Sequence, residues 1–95
     1  SQTWRIETLA AQAAMSERHF RRQFKSLTGM LVGDYIMGLR LQRAKALMTE
    51  TTWTLARIAE ESGFGDERQL RRIWARQEKA PPSVWRRASS QKLND

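Results

Sequence analysis

The chain has 95 residues, of which 17 are Lys or Arg and 10 are Asp or Glu, giving a formal net charge of +7. This length allows one domain, or two very small subdomains that share a core. There is no Cys and a single His, which excludes disulfides, thiolate zinc sites, thiol catalysis and multi-His metal sites. Arg outnumbers Lys 13 to 4, and this excess favours a polyanionic partner recognised through planar, bidentate hydrogen bonds.

The sequence also lacks the features of a membrane, secreted or catalytic protein. No apolar run approaches the roughly 18 residues that a membrane span needs, and no charged-then-apolar leader is present. There is no Ser–His–Asp order, paired-carboxylate spacing or Gly-rich phosphate loop. We therefore predict no enzymatic activity, no catalytic residue, no metal, no cofactor and no membrane partner. The first residue is Ser and not Met, so we expect a fragment of a longer protein.

The first half of the chain predicts three helices in order. Residues 6–13 carry apolar side chains at i, i+3, i+4 and i+7, the spacing of one face of a short helix. Ser16 is a good N-cap for a second helix, and Gly29 is a suitable residue to end it. A longer helix should begin near residues 33–34 and run through Met48.

The pattern of the first two helices recurs about halfway along the chain. At an offset of 49 residues, four apolar positions match: Trp4, Ile6, Leu9 and Ala10 against Trp53, Leu55, Ile58 and Ala59. At an offset of 50 residues, the match continues: Phe20, Arg22 and Phe24 against Leu70, Arg72 and Trp74. The offset changes because the second copy has one extra residue in its tight turn. Two copies of a short helix, a tight turn and a longer capped helix predict two helix-turn-helix units.

The end of the second copy is marked by caps and prolines. Asp66 and Gln69 have the spacing of a capping box for a helix that should end near Gln77. Pro82 and its preceding proline stop that helix, and residues 83–87 can form one further turn. The expected fold is all-α, with two helix-turn-helix subdomains joined by a central connecting helix. The expected boundaries are residues 1–32, 33–50 and 51–87 for these three parts, and 88–95 for a polar tail.

The two longer helices carry basic residues opposite their apolar stripes. The basic residues are Arg18, Arg21, Arg22 and Lys25 in the first helix, and Arg68, Arg71 and Arg72 in the second. A solvated face usually mixes charges and is laced with i,i+4 salt bridges, whereas these faces are almost wholly Arg. An α-helix fits the DNA major groove, and Arg can donate two hydrogen bonds to guanine O6 and N7. We therefore interpret both faces as DNA-contacting surfaces.

Two ordered sets of residues carry a family resemblance. The second copy contains Ile58-Ala59, Gly63-Phe64, Leu70, Arg72, Trp74, Pro82 and Trp85-Arg86. The first contains Leu9-Ala10, Met15-Ser16, Phe20, Arg22, Phe24-Lys25, Gly29, Tyr35-Ile36, Leu39-Arg40-Leu41 and Arg43-Ala44. Together they resemble the DNA-binding domain of the AraC/XylS family of bacterial transcription regulators, over about residues 4–87. The run Asp66…Leu70-Arg71-Arg72 also resembles the subgroup whose upstream domain is similar to DJ-1/PfpI amidotransferase-like proteins.

The resemblance implies a transcription activator domain that binds double-stranded DNA at promoters, in the cytoplasm and associated with the nucleoid. It implies base reading by Arg18, Arg21 and Arg22 in one major-groove segment, and by Glu67, Arg68, Gln69, Arg71 and Arg72 in the next. We expect phosphate contacts from Ser16, His19, Lys25, Thr54 and Arg76. A missing N-terminal domain would supply sensing and dimerisation, and RNA polymerase is a further candidate partner.

The chain departs from the family pattern at a few positions. Lys79 stands where Gly is usual, Leu70 where Phe is usual, and Val32 in place of a frequent Pro. Only residues 1–5 precede the first helix, where the family usually has a further helix. Two other functions also stay open: a non-specific basic module that coats DNA, RNA or anionic membranes, and a protein–protein module that docks RNA polymerase through the connecting helix.

Overall fold

Six α-helices account for most of residues 5–94, the part of the chain that the computed structural model describes. They are α1 (Ile6–Gln12), α2 (Glu17–Thr28), α3 (Val32–Glu50), α4 (Leu55–Glu61), α5 (Glu67–Gln77) and α6 (Pro82–Asn94). Helices α1 and α2 form the first helix-turn-helix unit, α4 and α5 form the second, and α3 connects them, with α6 packed on α3. The predicted all-α fold is confirmed. None of these helices is long and apolar enough to cross a membrane.

The turns of the two units share the same backbone hydrogen bond. The Met15 amide donates to the Ala10 carbonyl, and 49 residues later the Phe64 amide donates to the Ala59 carbonyl, both at 2.9 Å. The extra residue of the second turn is Gly65, so the offset becomes 50 residues from the next N-cap onward. Backbone geometry thus reproduces the duplication read from the sequence, except for Trp4, which lies outside the described residues.

The main core lies between the C-terminal half of α3 and the second unit. Its buried members are Leu41, Ala44, Leu47, Met48, Ile58, Ala59, Phe64, Leu70, Ile73 and Trp74. Trp53 and Trp85 pack against this core, and the Trp74 and Trp85 rings meet edge to face at 5.4 Å between centroids. These three tryptophans are therefore packing residues.

The first unit has a smaller core. In α1 only Ala10 is buried, and α2 has no fully buried residue, since Phe20 and Phe24 are half-buried. Val32 and Ile36, near the start of α3, are also buried outside the main core. Because apolar burial is the main stabilising contribution, we infer that the second unit is the more stable of the two.

Several boundaries differ from the sequence-based expectation. Helix α3 begins at Val32, slightly before residues 33–34, and α6 continues to Asn94 instead of ending after one turn. Residues 88–94, which were expected to form a polar tail, are therefore helical. Pro82 is the first residue of α6, where its missing N–H costs no helical hydrogen bond.

The C-terminal ends of α2 and α5 are built differently. Helix α2 ends on Gly29, which is left-handed at φ 77°, as its glycine predicts. Helix α5 ends at Gln77, and its C-cap Glu78 has extended backbone at φ −119°. Ala14 is the only non-glycine residue with positive φ among the described residues, so the backbone of Lys79 does not have the left-handed conformation that favours glycine. No glycine is therefore required at position 79.

Arg86 joins α6 to the segment that leaves α3. Its Nε donates to the Met48 carbonyl at 2.9 Å, its Nη1 to that of Trp53 at 2.8 Å and its Nη2 to that of Thr51 at 2.7 Å. The last carbonyls of a helix have no intrahelical donor, and Arg86 satisfies one of them together with two in the following loop. One guanidinium therefore holds the segment that connects the end of α3 to the start of the second unit.

Each turn contains one left-handed residue at the matched position. Ala14 has φ 58° and Gly63 has φ 94°. A Cβ at Gly63 would lie 3.2 Å from the Arg40 Nε, so a larger residue there would also crowd the Arg40 side chain. Burial lowers the pKa of Arg40 below its ordinary value, and the nearby charge of Arg5 lowers this pKa further.

We expect Gly63→Ala to lower the free energy of unfolding by about 1–3 kcal/mol, because it adds left-handed strain and a close contact with Arg40. Ala14→Gly should raise it by up to about 1 kcal/mol, since relieved strain slightly exceeds the entropy cost of glycine. Urea unfolding followed by tryptophan fluorescence measures both. Equal midpoints for the two variants would contradict this assignment of the turns.

We expect Arg86→Ala to lower the free energy of unfolding by about 2–4 kcal/mol, because three partly buried carbonyls lose their donor. Arg86→Lys should recover only part of this loss, since an ammonium cannot span three acceptors. The matched control is Arg87→Ala, an exposed neighbour whose loss should change stability by less than about 0.5 kcal/mol. The same urea titration decides, and similar midpoints for Arg86→Ala and Arg87→Ala would rule out the role of Arg86.

Candidate nucleic-acid interface

The basic residues predicted for the first recognition helix lie on the outer face of α2. All four are exposed: Arg18, Arg21, Arg22 and Lys25. They border one shallow surface hollow together with one acid and one apolar residue: Glu17, Arg18, Arg21, Arg22, Lys25 and Leu31. With four basic residues and one acid between residues 16 and 28, this helix carries a net +3. A continuous cationic surface of this kind attracts a polyanion.

The outer face of α5 repeats this arrangement with less net charge. Arg68, Arg71 and Arg72 are exposed, as is Arg76 one turn further on. Three acids between residues 66 and 78 reduce the net charge of this segment to +1. Arg71 also borders an open groove of about 470 Å³ that includes residues from α4 and α6. The structure therefore presents all seven predicted basic residues to solvent on the second helix of each unit.

The expectation that these faces lack i,i+4 ion pairs is wrong. In α2, Arg21 Nη2 lies 3.1 Å from Glu17 Oε1, and in α5 Arg71 Nε lies 2.8 Å from Glu67 Oε2. The two pairs occupy matched positions, 50 residues apart. Their spacing was readable from the sequence, because Glu four residues before a cation is the favoured order on a helix. Glu17 was therefore identifiable from the sequence as a residue of this surface, although it was not predicted as one.

Lys25 and Gln69 have partners inside the protein. Lys25 Nζ donates to the Gly29 carbonyl at 3.4 Å, at the C-terminal end of α2. Gln69 Oε1 accepts from the Gly65 backbone amide at 2.9 Å, and the Gln69 backbone amide donates to Asp66 Oδ1 at 2.8 Å. This is the reciprocal arrangement of a capping box, displaced by one residue in the turn. Gln69 therefore helps to hold the start of α5.

Of the residues predicted to contact phosphates, two precede a helix as its N-cap and the others are exposed on α2 or α5. Ser16 and Thr54 are N-caps, and their Oγ atoms accept from the amides of His19 and Arg57 at 3.1 and 3.2 Å. His19 is exposed, as is Arg76. Arg57 was not singled out from the sequence, and its guanidinium lies 3.7 Å from the centre of the Trp53 ring, beside the Thr54 cap.

Within residues 5–94, no group of three or more His, Cys, Asp or Glu side chains could hold a metal ion.

Comparison with known proteins agrees with this geometry. A helix-turn-helix domain family matches residues 9–88. The DNA-binding domain of AdpA, solved in complex with a target DNA, superposes with a TM-score of 0.84 at 32% identity, over 96% of this chain and 82% of that one. The chain is an AraC-type helix-turn-helix domain. Sequence-specific DNA binding by a transcription regulator is the function that this membership supports.

Curated relatives extend beyond the aligned part. The transcriptional regulator Rv1931c of Mycobacterium tuberculosis is 38% identical over 88% of this chain, which covers 32% of the relative. The transcriptional activator RhaR of Escherichia coli K12 is 31% identical over 92% of this chain, which covers 31% of the relative. This AraC-type domain therefore spans about a third of these relatives. An AraC-type regulator structure from Chromobacterium violaceum shares the fold, with a TM-score of 0.78 at 24% identity over 92% of this chain and 78% of that one.

We expect Gln69→Ala to lower the free energy of unfolding by about 0.5–1 kcal/mol, because the Gly65 amide loses its acceptor. Gln69→Glu keeps an acceptor oxygen at the same position and should remain within about 0.5 kcal/mol of the parent. Gln42→Ala, on the exposed side of α3, is the control for loss of a glutamine. Thermal unfolding by circular dichroism measures all three, and a Gln69→Glu loss as large as that of Gln69→Ala would refute the capping role.

Proposed function

We propose that this chain binds duplex DNA at specific sequences, with α2 and α5 in two successive major-groove segments, as part of a transcription regulator. One observation supports this above all. The same N-capped, arginine-faced helix occurs twice, after turns with matched hydrogen bonds, on the two sides of one connecting helix. An α-helix presented in this way is the element that enters the major groove in helix-turn-helix proteins.

The roles of the two faces follow from their chemistry. Arg18, Arg21 and Arg22 read bases in one segment, because a guanidinium can bond O6 and N7 of guanine together. In the second segment the reading positions are Glu67, Arg68, Gln69, Arg71 and Arg72, and Gln69 would reach a base through its side-chain NH2 because its Oε1 caps the Gly65 amide. Contacts to phosphates come from Ser16, His19, Lys25, Thr54 and Arg76, and they set register rather than sequence preference. The larger net charge of α2 gives it more of the salt-dependent affinity, and α5 contributes relatively more discrimination.

The dimensions suit two contacts on one side of a duplex. Helix α3 has 19 residues and so spans about 28 Å, and the described chain measures 46 Å along its longest axis. Successive major-groove segments on one side of DNA lie about 34 Å apart. A stiff connecting helix that falls short of this spacing favours DNA that bends towards the protein.

The regulatory action that we propose is binding and recruitment at promoters, on the nucleoid in the cytoplasm, with no catalytic step. RhaR is named a transcriptional activator, which favours activation as the outcome. Sensing, dimerisation and contact with RNA polymerase are assigned to the longer regulator, since its named relatives are about three times the length of this chain.

We expect selection from a pool of randomised duplexes to yield a two-segment consensus with the segments about one helical turn apart. On that duplex, Arg21→Ala should weaken binding by about 1–3 kcal/mol and relax the preference at one base pair in one segment. The control is Arg43→Ala, which removes the same charge from the exposed side of α3, outside both units. Fluorescence anisotropy with selected and random duplexes measures the affinities.

Arg43→Ala should weaken selected and random duplexes by a similar, small factor. If Arg21→Ala did the same, Arg21 would contact phosphate only. If selection yielded no consensus and binding depended steeply on salt, the chain would be a non-specific basic module and the proposed function would be wrong.

A further inference from the structure

The two exposed ion pairs occupy equivalent places on the two recognition helices. Glu17 and Glu67 are each the first residue of their helix, and each accepts from the arginine one turn later. The paired side chains are about half exposed, at 50% and 43% in α2 and at 54% and 38% in α5. Among residues 5–94, Arg18, Arg22, Arg68 and Arg72 make no such pair. One arginine on each recognition helix is therefore held by an acid, at the same repeat position.

The atoms used in these pairs leave a defined edge of each guanidinium available. Arg71 donates through Nε to Glu67, so that both Nη groups remain. Arg21 donates through Nε and Nη2 to a single oxygen of Glu17, so that Nη1 and the second Nη2 hydrogen remain. A guanidinium has five N–H groups in a fixed plane, and the Nη1–Nη2 edge presents two parallel donors. Two parallel donors are what guanine O6 and N7 accept.

An acid on a DNA-contacting face also has an electrostatic cost. Each glutamate faces the same direction as the cations around it, so it repels the phosphates that those cations attract. An exposed ion pair contributes little to stability, which makes folding a weak reason for two such acids. Restraining a long arginine, in contrast, lowers the side-chain entropy that is lost when it binds.

We propose that Glu17 and Glu67 are positioning residues for guanine recognition, holding Arg21 and Arg71 with their Nη edges towards the major groove. The inference rests on the proposed function and refines it. It gives Glu67 a role through Arg71 instead of the direct base reading proposed above. Because the glutamates also weaken phosphate attraction, the pairs raise the ratio of specific to random binding rather than total affinity.

The test uses the 95-residue chain with Glu17→Gln, Glu67→Gln and the control Glu50→Gln. Glu50 is exposed at the end of α3, outside both units, and its replacement makes the same change in net charge. The probes are the selected duplex, a random duplex, and selected duplexes in which one guanine at a time is replaced by 7-deazaguanine, which lacks the N7 acceptor. Anisotropy gives the ratio of selected to random affinity for each variant.

We expect Glu50→Gln to strengthen selected and random binding by the same factor, leaving the ratio unchanged. Glu17→Gln and Glu67→Gln should each lower the ratio about tenfold, the order of one specific base contact. The penalty for 7-deazaguanine should shrink at one guanine only, in the segment read by the altered helix. Adding Arg21→Ala to Glu17→Gln should then lower the ratio little further, because both changes remove one contact.

A second variant separates positioning from charge. Glu17→Asp keeps the net charge but is one methylene shorter, so it should lower the ratio as Glu17→Gln does, while helical circular dichroism stays unchanged. Ratios that match Glu50→Gln would overturn the inference, as would additive losses for Glu17→Gln with Arg21→Ala. For Glu67, loss of preference at a base pair different from the one that Arg71→Ala affects would mean direct contact. In each of these cases the selection still yields a consensus, whereas it yields none if the proposed function is wrong.

Discussion

The structure depends on burial of one helix, α3, by both halves of the protein. Helices α1 and α4 have seven residues each, and isolated helices of this length are not stable in water. The second unit packs against Leu41, Ala44, Leu47 and Met48 of α3, and Val32 and Ile36 are buried at its opposite end. Both recognition helices are therefore positioned by the same rigid element. Their relative placement is a property of α3 and not of the loops.

The two units share a backbone plan but differ in how they are stabilised. The second unit has the main core, the tryptophan pair and the Arg86 hydrogen bonds. The first has half-buried phenylalanines and the larger positive charge. The two positive helices pack against opposite ends of α3, and this separation reduces the repulsion between their charges. The first unit is thus the more positively charged DNA-contacting unit, and the second is the better packed.

Much of the fold was predictable because the signals are local. The caps at Ser16, Thr54 and Asp66 and the left-handed Gly29 all depend on atoms within a few residues of one another. The candidate surface was predictable for the same reason, since helical periodicity alone places the seven basic residues opposite the apolar stripes. The i,i+4 ion pairs follow equally from local spacing, yet Glu17 was not predicted, and Glu67 was predicted as a base reader and not as the partner of Arg71.

The sequence by itself determined the helices, their caps, the duplicated unit and the face on which the arginines lie, because these follow from interactions within one or two helical turns. Only the tertiary structure decided the unequal cores, with the main one between α3 and the second unit. It also decided that Arg86 binds carbonyls 33, 35 and 38 residues away along the chain. Such contacts depend on how whole helices pack against α3, and no local pattern of residues specifies a distance between segments so far apart.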